Sequence, residues 1–554
     1  MIKKVWIMTL LGLLFLAKLQ AQVDTSFISP FKFPLLLSAN FGELRPNHFH
    51  NGIDIKTQGV TGKPIYCIAD GYVSRILVLH GGYGQALFVT HPNGYTSVYG
   101  HVIKFAPAIQ KYLRAYQYKH ETFVADVRPE PGELSFRQGE LIALSGNEGA
   151  SAGPHLHLEL RRTDTGEYVD PLPFFKRYLK DSKVPTASLV AFYPKRGEGV
   201  VQGNSRKVLV PVGQLAQTFT AWGKISTGIV AKDYMDGTSN FYGVHEVTLY
   251  VDSLQVFHSV TDCVAAEENR MINGFTDYEE LENTRRLIMR SHRLPGNKLR
   301  LLQTAPDNGW VNIDEERDYH FRYVLRDGFG NKRSYSFKVR GKKQEIPAFE
   351  PDANTQFLSC NQTNVVQLPG MQMTLAKGML YDDTWLKTHV VEDSSAISFS
   401  YQLEAKGTPL HTYCPISIGV RNLPVSDTEK YYVSFRRGNW SYSAGGTYKD
   451  GWMTAKVRDL GTYTVRIDTV PPVVTPLGKN TWRSTRNIRI KVKDNATGIA
   501  TYKVYVDGKF VLFGLKKGVL VIQDPEKIKK GIPHKLELWV TDACGNETYR
   551  KYAF

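Results

Sequence analysis

The sequence predicts a mainly β protein, with an antiparallel β-sheet unit at its N-terminal end followed by about three β-sandwich domains of immunoglobulin-like pattern. Three observations lead there. At 554 residues the chain is too long for one core, so three to five domains are expected. It holds 30 Tyr and 27 Phe, residues that half-buried strands favour. Short apolar–polar alternations ended by glycine turns recur along its length. With 42% hydrophobic and 22% charged residues, the composition argues against long disordered stretches.

Residues 1–21 carry Lys3 and Lys4 ahead of an apolar run too short to span a membrane comfortably, with the small Ala21 at their end. That is the pattern of a cleaved secretory signal. The mature chain is then expected outside the cytoplasm, in the periplasm or cell envelope, and not as an integral membrane protein. The formal net charge of +16 comes from 69 Lys and Arg against 53 Asp and Glu. It suits anionic envelope polymers, but the lysines are scattered and no nucleic-acid-binding motif is present, so nucleic acid is not an expected partner. The five cysteines form no CxxC pair, so neither a disulfide scaffold nor a cysteine zinc site is expected. Cys360 and Cys414 share one segment and are the one candidate pair.

In chain order, the first chemistry lies at Pro46-Asn47-His48-Phe49-His50-Asn51-Gly52-Ile53-Asp54. Asn51-Gly52 is a turn signal, which sets His50 and Asp54 on either side of a bend, with His48 as a competing ligand. Short strands follow over 64–69, 71–79, 85–90 and 95–99, joined through Asp70-Gly71 and Asn93-Gly94. The last of them runs into Tyr99-Gly100-His101. A helix is expected over 105–121 and a loop to about 136. Residues 138–144 form another strand, which delivers Gly153-Pro154-His155-Leu156-His157-Leu158-Glu159-Leu160. Its period of two places the leucines on one face and His155, His157 and Glu159 on the other. Glu159 is expected to pair with Arg161 or Arg162, and Tyr99 to pack in a strand or to orient a substrate.

In this order, His50-xxx-Asp54, Tyr99-Gly100-His101 and Gly153-Pro154-His155-Leu156-His157 resemble the lysostaphin-type zinc metallopeptidases, glycyl-glycine or D,D-endopeptidases that cut peptidoglycan cross-links. The resemblance includes Phe41-Gly42, Ala69-Asp70-Gly71-Tyr72-Val73 and residues 138–149, and covers about 31–175. It implies that His50, Asp54 and His157 bind one zinc ion with a fourth position open to water. It implies also that His101 and His155 are catalytic and not ligands, His155 as general base and His101 as stabiliser of the developing charge. The expected function is that of an exported zinc-dependent endopeptidase acting on peptidoglycan. The alternative is a non-catalytic envelope protein that binds the wall or activates other wall hydrolases, and a third reading is an adhesin. The presence of all five matched positions disfavours the second. Residues 105–136 are longer than the connection usual in that family, and either wall a substrate groove or pack as an insert.

The domains expected are 22–182 for the zinc metallopeptidase, 183–346 for an immunoglobulin-like domain with an insertion (including a helix over 278–291), 347–470 for a β-rich domain, and 471–554 for a second immunoglobulin-like domain. The second and fourth share a weak repeat: Asp327-Gly328-Phe329-Gly330-Asn331 recurs as Asp542-Ala543-Cys544-Gly545-Asn546. Aspartates at these turns are read as unliganded turn residues, with calcium as the other option. Docking of other envelope proteins is one of the roles open to these β domains.

Overall fold

The computed structural model describes residues 27–554, so the expected signal over 1–21 lies outside the described residues. Strands make up 46% and helices 10% of the described residues, in keeping with the expected mainly β class. Among the described residues, no helix is long and apolar enough to cross a membrane.

The first sheet places the His155-Leu156-His157 motif at its centre. Its antiparallel path runs Leu37–Ala39, Ile53–Lys56, His155–Arg162, Tyr95–Gly100, Gln85–Thr90, Gly71–Val78 and Ala125–Val127. Strand His155–Arg162 therefore has a neighbour on each side, with His157 opposite both Asp54 and Gly100. Leu156, Leu158 and Leu160 are fully buried against Ile53, Ile55, Leu87 and Val89. The alternation holds, and it leaves the imidazoles on the other face.

The 105–136 segment packs onto this core. Its helix, Pro107–His120, starts at a proline and ends where Glu121 takes a left-handed φ of 47°. Ile109 and Leu113 are buried in the first core, and Ala125–Val127 and Ser135–Phe136 pair with Gly71–Val78.

Residues beyond 183 depart from the expected two-sheet pattern in one place. Between Thr186 and Gly341 every strand except Cys263–Val264 belongs to one continuous eleven-stranded sheet, which holds one main core. Two long strands, Thr186–Val201 and Thr218–Tyr234, pair with register shifts near Leu189 and between Pro194 and Gly199. Such bulges bend a sheet, so one sheet can close around a core. The helix expected over 278–291 is cut short. It covers Tyr278–Thr284, and Arg285 then turns left-handed at φ 63°. Met289 and Arg290 instead pair with Ile229 and Gly228, because the apolar Ile288-Met289 stretch meets a sheet edge. Farther on, sheets of six and five strands enclose a third core, and two four-stranded sheets enclose a fourth around Trp482. The five cysteines, Cys360 and Cys414 among them, are free thiols.

The first two cores interlock. Phe41 and Phe49, from the first unit, lie in the second core, while Met235 and Tyr242 lie in the first. Strand Tyr168–Val169 pairs with Cys263–Val264, so the first sheet continues into residues of the second unit.

Candidate metal centre

Two adjacent strands and one bend bring His50, Asp54 and His157 together. His157 and Asp54 are cross-strand partners, and His50 sits at the end of the bend before Ile53–Lys56. His50 Nε2 is 3.0 Å from both Asp54 Oδ1 and His157 Nδ1, and His157 Nδ1 is 2.8 Å from Asp54 Oδ1. All three side chains are buried. A zinc tetrahedron with bonds of about 2.0–2.1 Å has edges of about 3.3 Å, close to this triangle.

The outer nitrogens decide what the inner ones present. His50 Nδ1 is 2.7 Å from the Asn40 carbonyl oxygen, an acceptor, so it carries the hydrogen and Nε2 points inward as a lone pair. His157 Nε2 is 2.9 Å from Glu159 Oε1 and donates there in the same way. Two imidazole lone pairs and a carboxylate oxygen then converge with no hydrogen between them, which a cation or an extra proton must relieve. The donor set of two nitrogens and one oxygen fits zinc.

The electrostatics follow from that crowding. Burial alone would lower the His157 pKa, but its bonds to Asp54 and Glu159 outweigh it and raise the group to about 9. Burial acts first on His50 and draws it down. Burial would raise the Asp54 carboxyl, yet His50, His155 and His157 together hold it well below the usual carboxylate range. Glu159 is pushed down to about 2, because Arg161 and His157 outweigh its complete burial. Its carboxylate accepts from Arg161 Nη2 at 2.6 Å, the partner expected, and also from the Tyr83 hydroxyl at 2.5 Å.

His101 and His155 flank the cluster in matching ways. His101 Nδ1 donates to the Glu148 carbonyl at 2.7 Å, and His155 Nδ1 to the Gly153 carbonyl at 2.8 Å. Each then turns Nε2 away from its tether, and the two rings stand 4.8 Å apart. His155 Nε2 is 3.5 Å from Asp54 Oδ1. Burial, followed by the charges of His157 and His155, lowers His101 to about 4, so it is neutral at pH 7. The competing His48 is exposed and turns to the Pro46 carbonyl, outside the cluster. Tyr99 is fully buried, and its hydroxyl accepts from the Ile68 amide; it is a core residue.

Several positioning groups gave no sequence signal. Asn40, which holds His50, is itself clamped from the second unit: its side chain donates to the Gly243 carbonyl and accepts from the Gly243 amide, at 2.8 and 2.9 Å. Asn269 accepts from the Phe49 amide at 2.6 Å and donates to Asn51 at 2.8 Å. These partners lie more than 200 residues away, and no local pattern announces them.

Known families match two parts of the chain, the first of which includes His50, Asp54 and His101. Residues 48–118 match the model of Peptidase family M23, and residues 355–468 match that of the Zu5-like domain. An "Uncharacterized metalloprotease" of Haemophilus influenzae is 31% identical over 153 residues, 28% of this chain and 25% of that protein. The "DD-carboxypeptidase/endopeptidase Mpg" of Neisseria meningitidis serogroup B is 32% identical over 123 residues, 22% of each chain. The catalytic domain of the antimicrobial peptidase lysostaphin from Staphylococcus simulans is 21% identical, with a TM-score of 0.18, over 26% of this chain and 92% of that one. The match thus spans about a quarter of the length of the curated relatives. The chain carries a peptidase family M23 domain.

Proposed function

We propose that the protein is an exported zinc-dependent endopeptidase that hydrolyses peptide cross-links of bacterial peptidoglycan. The observation that carries this reading is the convergence of His50 Nε2, Asp54 Oδ1 and His157 Nδ1 beside two further imidazoles tethered through Nδ1. The names of the relatives, metalloprotease and DD-carboxypeptidase/endopeptidase, support the same class. The signal-like pattern of residues 1–21 supports export.

In this reading His50, Asp54 and His157 hold the zinc ion. When bound, zinc supplies a Lewis acid that brings the pKa of water down towards about 7. The chain's own residues then manage protons and orientation. A neutral His101 presents an Nε2 lone pair, which suits it to take a proton from the attacking water and later return it to the departing amine nitrogen. His155 Nε2 faces the same point and, when its ring carries a second proton, supplies the complementary N–H to the carbonyl oxygen as negative charge develops on it. This exchanges the two roles expected from sequence; the burial of His101, which disfavours its charged form, supports the exchange. Glu159 and Asn40 fix the ring orientations of His157 and His50.

The test is digestion of several purified cell-wall types by the zinc-loaded protein, with products read by mass spectrometry. Wild-type protein is expected to hold about one zinc and to convert cross-linked muropeptides into uncross-linked ones, and His157→Ala to lose both. Zinc-loaded protein that cleaves none of the wall types would return the chain to the non-catalytic reading.

A further inference from the structure

The junction between the first two cores carries a second set of converging carboxylates, built from three distant segments. Asp181 follows the turn Lys176–Tyr178 that closes the first unit and precedes the long strand Thr186–Val201. Asp233 lies on strand Thr218–Tyr234. Asp327 opens the turn joining strands Asp318–Arg326 and Lys332–Gly341. One oxygen from each lies within 4.8 Å of the others.

The surrounding bonds leave this set short of partners. Asp327 Oδ1 accepts from the amides of Phe329, Gly330 and Asn331 at 2.7–2.8 Å, and Asp327 Oδ2 accepts from Asn331 Nδ2 at 2.8 Å. Asp181 Oδ1 accepts from the Lys183 amide at 2.9 Å. Asp181 Oδ2 and Asp233 Oδ1 are buried with no hydrogen-bond partner among the described residues. Asp233 is only 4% exposed, so its bare oxygen has no access to bulk water. Among the ion pairs of the described residues, none involves any of the three. A buried, unpaired carboxylate beside two others is strongly unfavourable unless a cation or a proton sits among them. Burial accordingly pushes Asp233 up to about 8, and calcium competes with that proton for the two bare oxygens.

The donors are all carboxylate oxygens, with no imidazole or thiolate. That chemistry selects a hard divalent cation, and the three-carboxylate set favours calcium over the zinc-type site at His50. We propose that Asp181, Asp233 and Asp327 bind one calcium ion that ties the end of the first unit to the second. The turn geometry recurs at Asp542, where Asn546 Nδ2 donates to Asp542 Oδ2 and to the Asp468 carbonyl, with Asp494 close by. The second set has one buried oxygen without a partner, Asp494 Oδ1, against two in the first, and Asp468 Oδ2 already accepts from Thr497, so the assignment is confined to the first set.

The experiment uses the full chain, stripped of metal, reloaded with zinc and titrated with calcium chloride by equilibrium dialysis. Wild type is expected to bind calcium below about 1 mM, the weak end of protein calcium sites, with Asp233→Asn and Asp181→Asn each binding one equivalent fewer. Lys176, Arg177, Lys180 and Lys183 make the junction a trypsin target. Calcium at about 100 times its Kd should slow cleavage there roughly 100-fold in wild type and not in the variants. Asp181 is half-buried in a loop, so its amide variant tests the site even where Asp233→Asn fails to fold. No calcium bound by wild type at about 10 mM, well above that range, or variants that keep the wild-type stoichiometry, would overturn the assignment. Calcium bound without protection of the junction would overturn its tying role.

Discussion

His157 is where proton and metal compete. In the metal-free protein its bonds to Asp54 and Glu159 raise it to about 9, against an ordinary 6.5 in the unfolded chain. A raised folded-state pKa contributes stability that is complete below about 6.5 and fades as pH rises through about 9. The shift corresponds to about 3 kcal/mol. Metal-free protein should therefore melt at lower temperature at pH 9.5 than at pH 6, and His157→Ala should remove that difference. A melting temperature independent of pH over this range would contradict the assignment. Glu159 holds the far nitrogen of the same ring. Glu159→Gln, which keeps the shape but loses the charge, should weaken zinc binding by about 10–100-fold, measured by competition with a chelating dye. Arg161, which pairs with Glu159 and stacks over Phe88 and Tyr168, then loses its charge partner as well, so the variant's thermal stability is measured beside its affinity.

At the scale of elements, the loop before the central strand sets His101. Its Glu148 carbonyl accepts the His101 Nδ1 hydrogen, and the next residue, Gly149, has a φ of 72° against the Gly84 backbone. A methyl group at Gly149 would stand 2.2 Å from Gly84 N, so backbone must move. Gly149→Ala is expected to keep zinc while lowering kcat by up to about 100-fold through misplacement of His101; unchanged turnover with normal zinc content would show that the loop does not set the imidazole. Elements of this kind were legible in the sequence to different degrees. The central strand and the five histidine and aspartate positions lie in short motifs, where period-two alternation and turn residues act locally. Glu159 shared that alternation, yet its bond to His157 could not be separated from its pairing with Arg161. The helix at Tyr278 is shorter than its local sequence suggests, because pairing of Met289 with Ile229 is a long-range event. The single eleven-stranded sheet was hidden for the same reason, since bulges within long strands decide whether a sheet splits or curls.

Across the whole molecule, the C-terminal sheets dock on the helix Pro107–His120. Arg114 and Tyr118 both donate to Asp524 at 2.9 Å, and Lys503 and Tyr505 to Glu121 at 2.8 and 2.6 Å. Lys516 reaches Glu148 at 2.9 Å and the Asn147 carbonyl at 3.1 Å, on the loop that holds His101. Lys516 is 44% exposed and its ion pair contributes under about 1 kcal/mol, whereas the Asp524 side chain is 10% exposed and accepts two bonds. Asp524→Asn should therefore loosen the docking by about 1–3 kcal/mol and speed proteolysis beside Pro471 and Pro472, while Lys516→Ala should do little. Equal protease resistance in Asp524→Asn and wild type would place the docking energy elsewhere.

The shared strand pairing of Tyr168–Val169 with Cys263–Val264, and the hold of Gly243 and Asn269 on Asn40 and Phe49, bear on how the protein is made. A growing chain that has just released residue 182 has every side chain of the candidate centre, but not the groups that clamp Asn40 and the Phe49 backbone beside His50. About 87 more residues must follow before Asn269 exists, some 4–17 s at ordinary synthesis rates of about 5–20 residues per second. Through that interval the nascent chain holds an unfinished centre, which is completed with the second sheet instead of with the first.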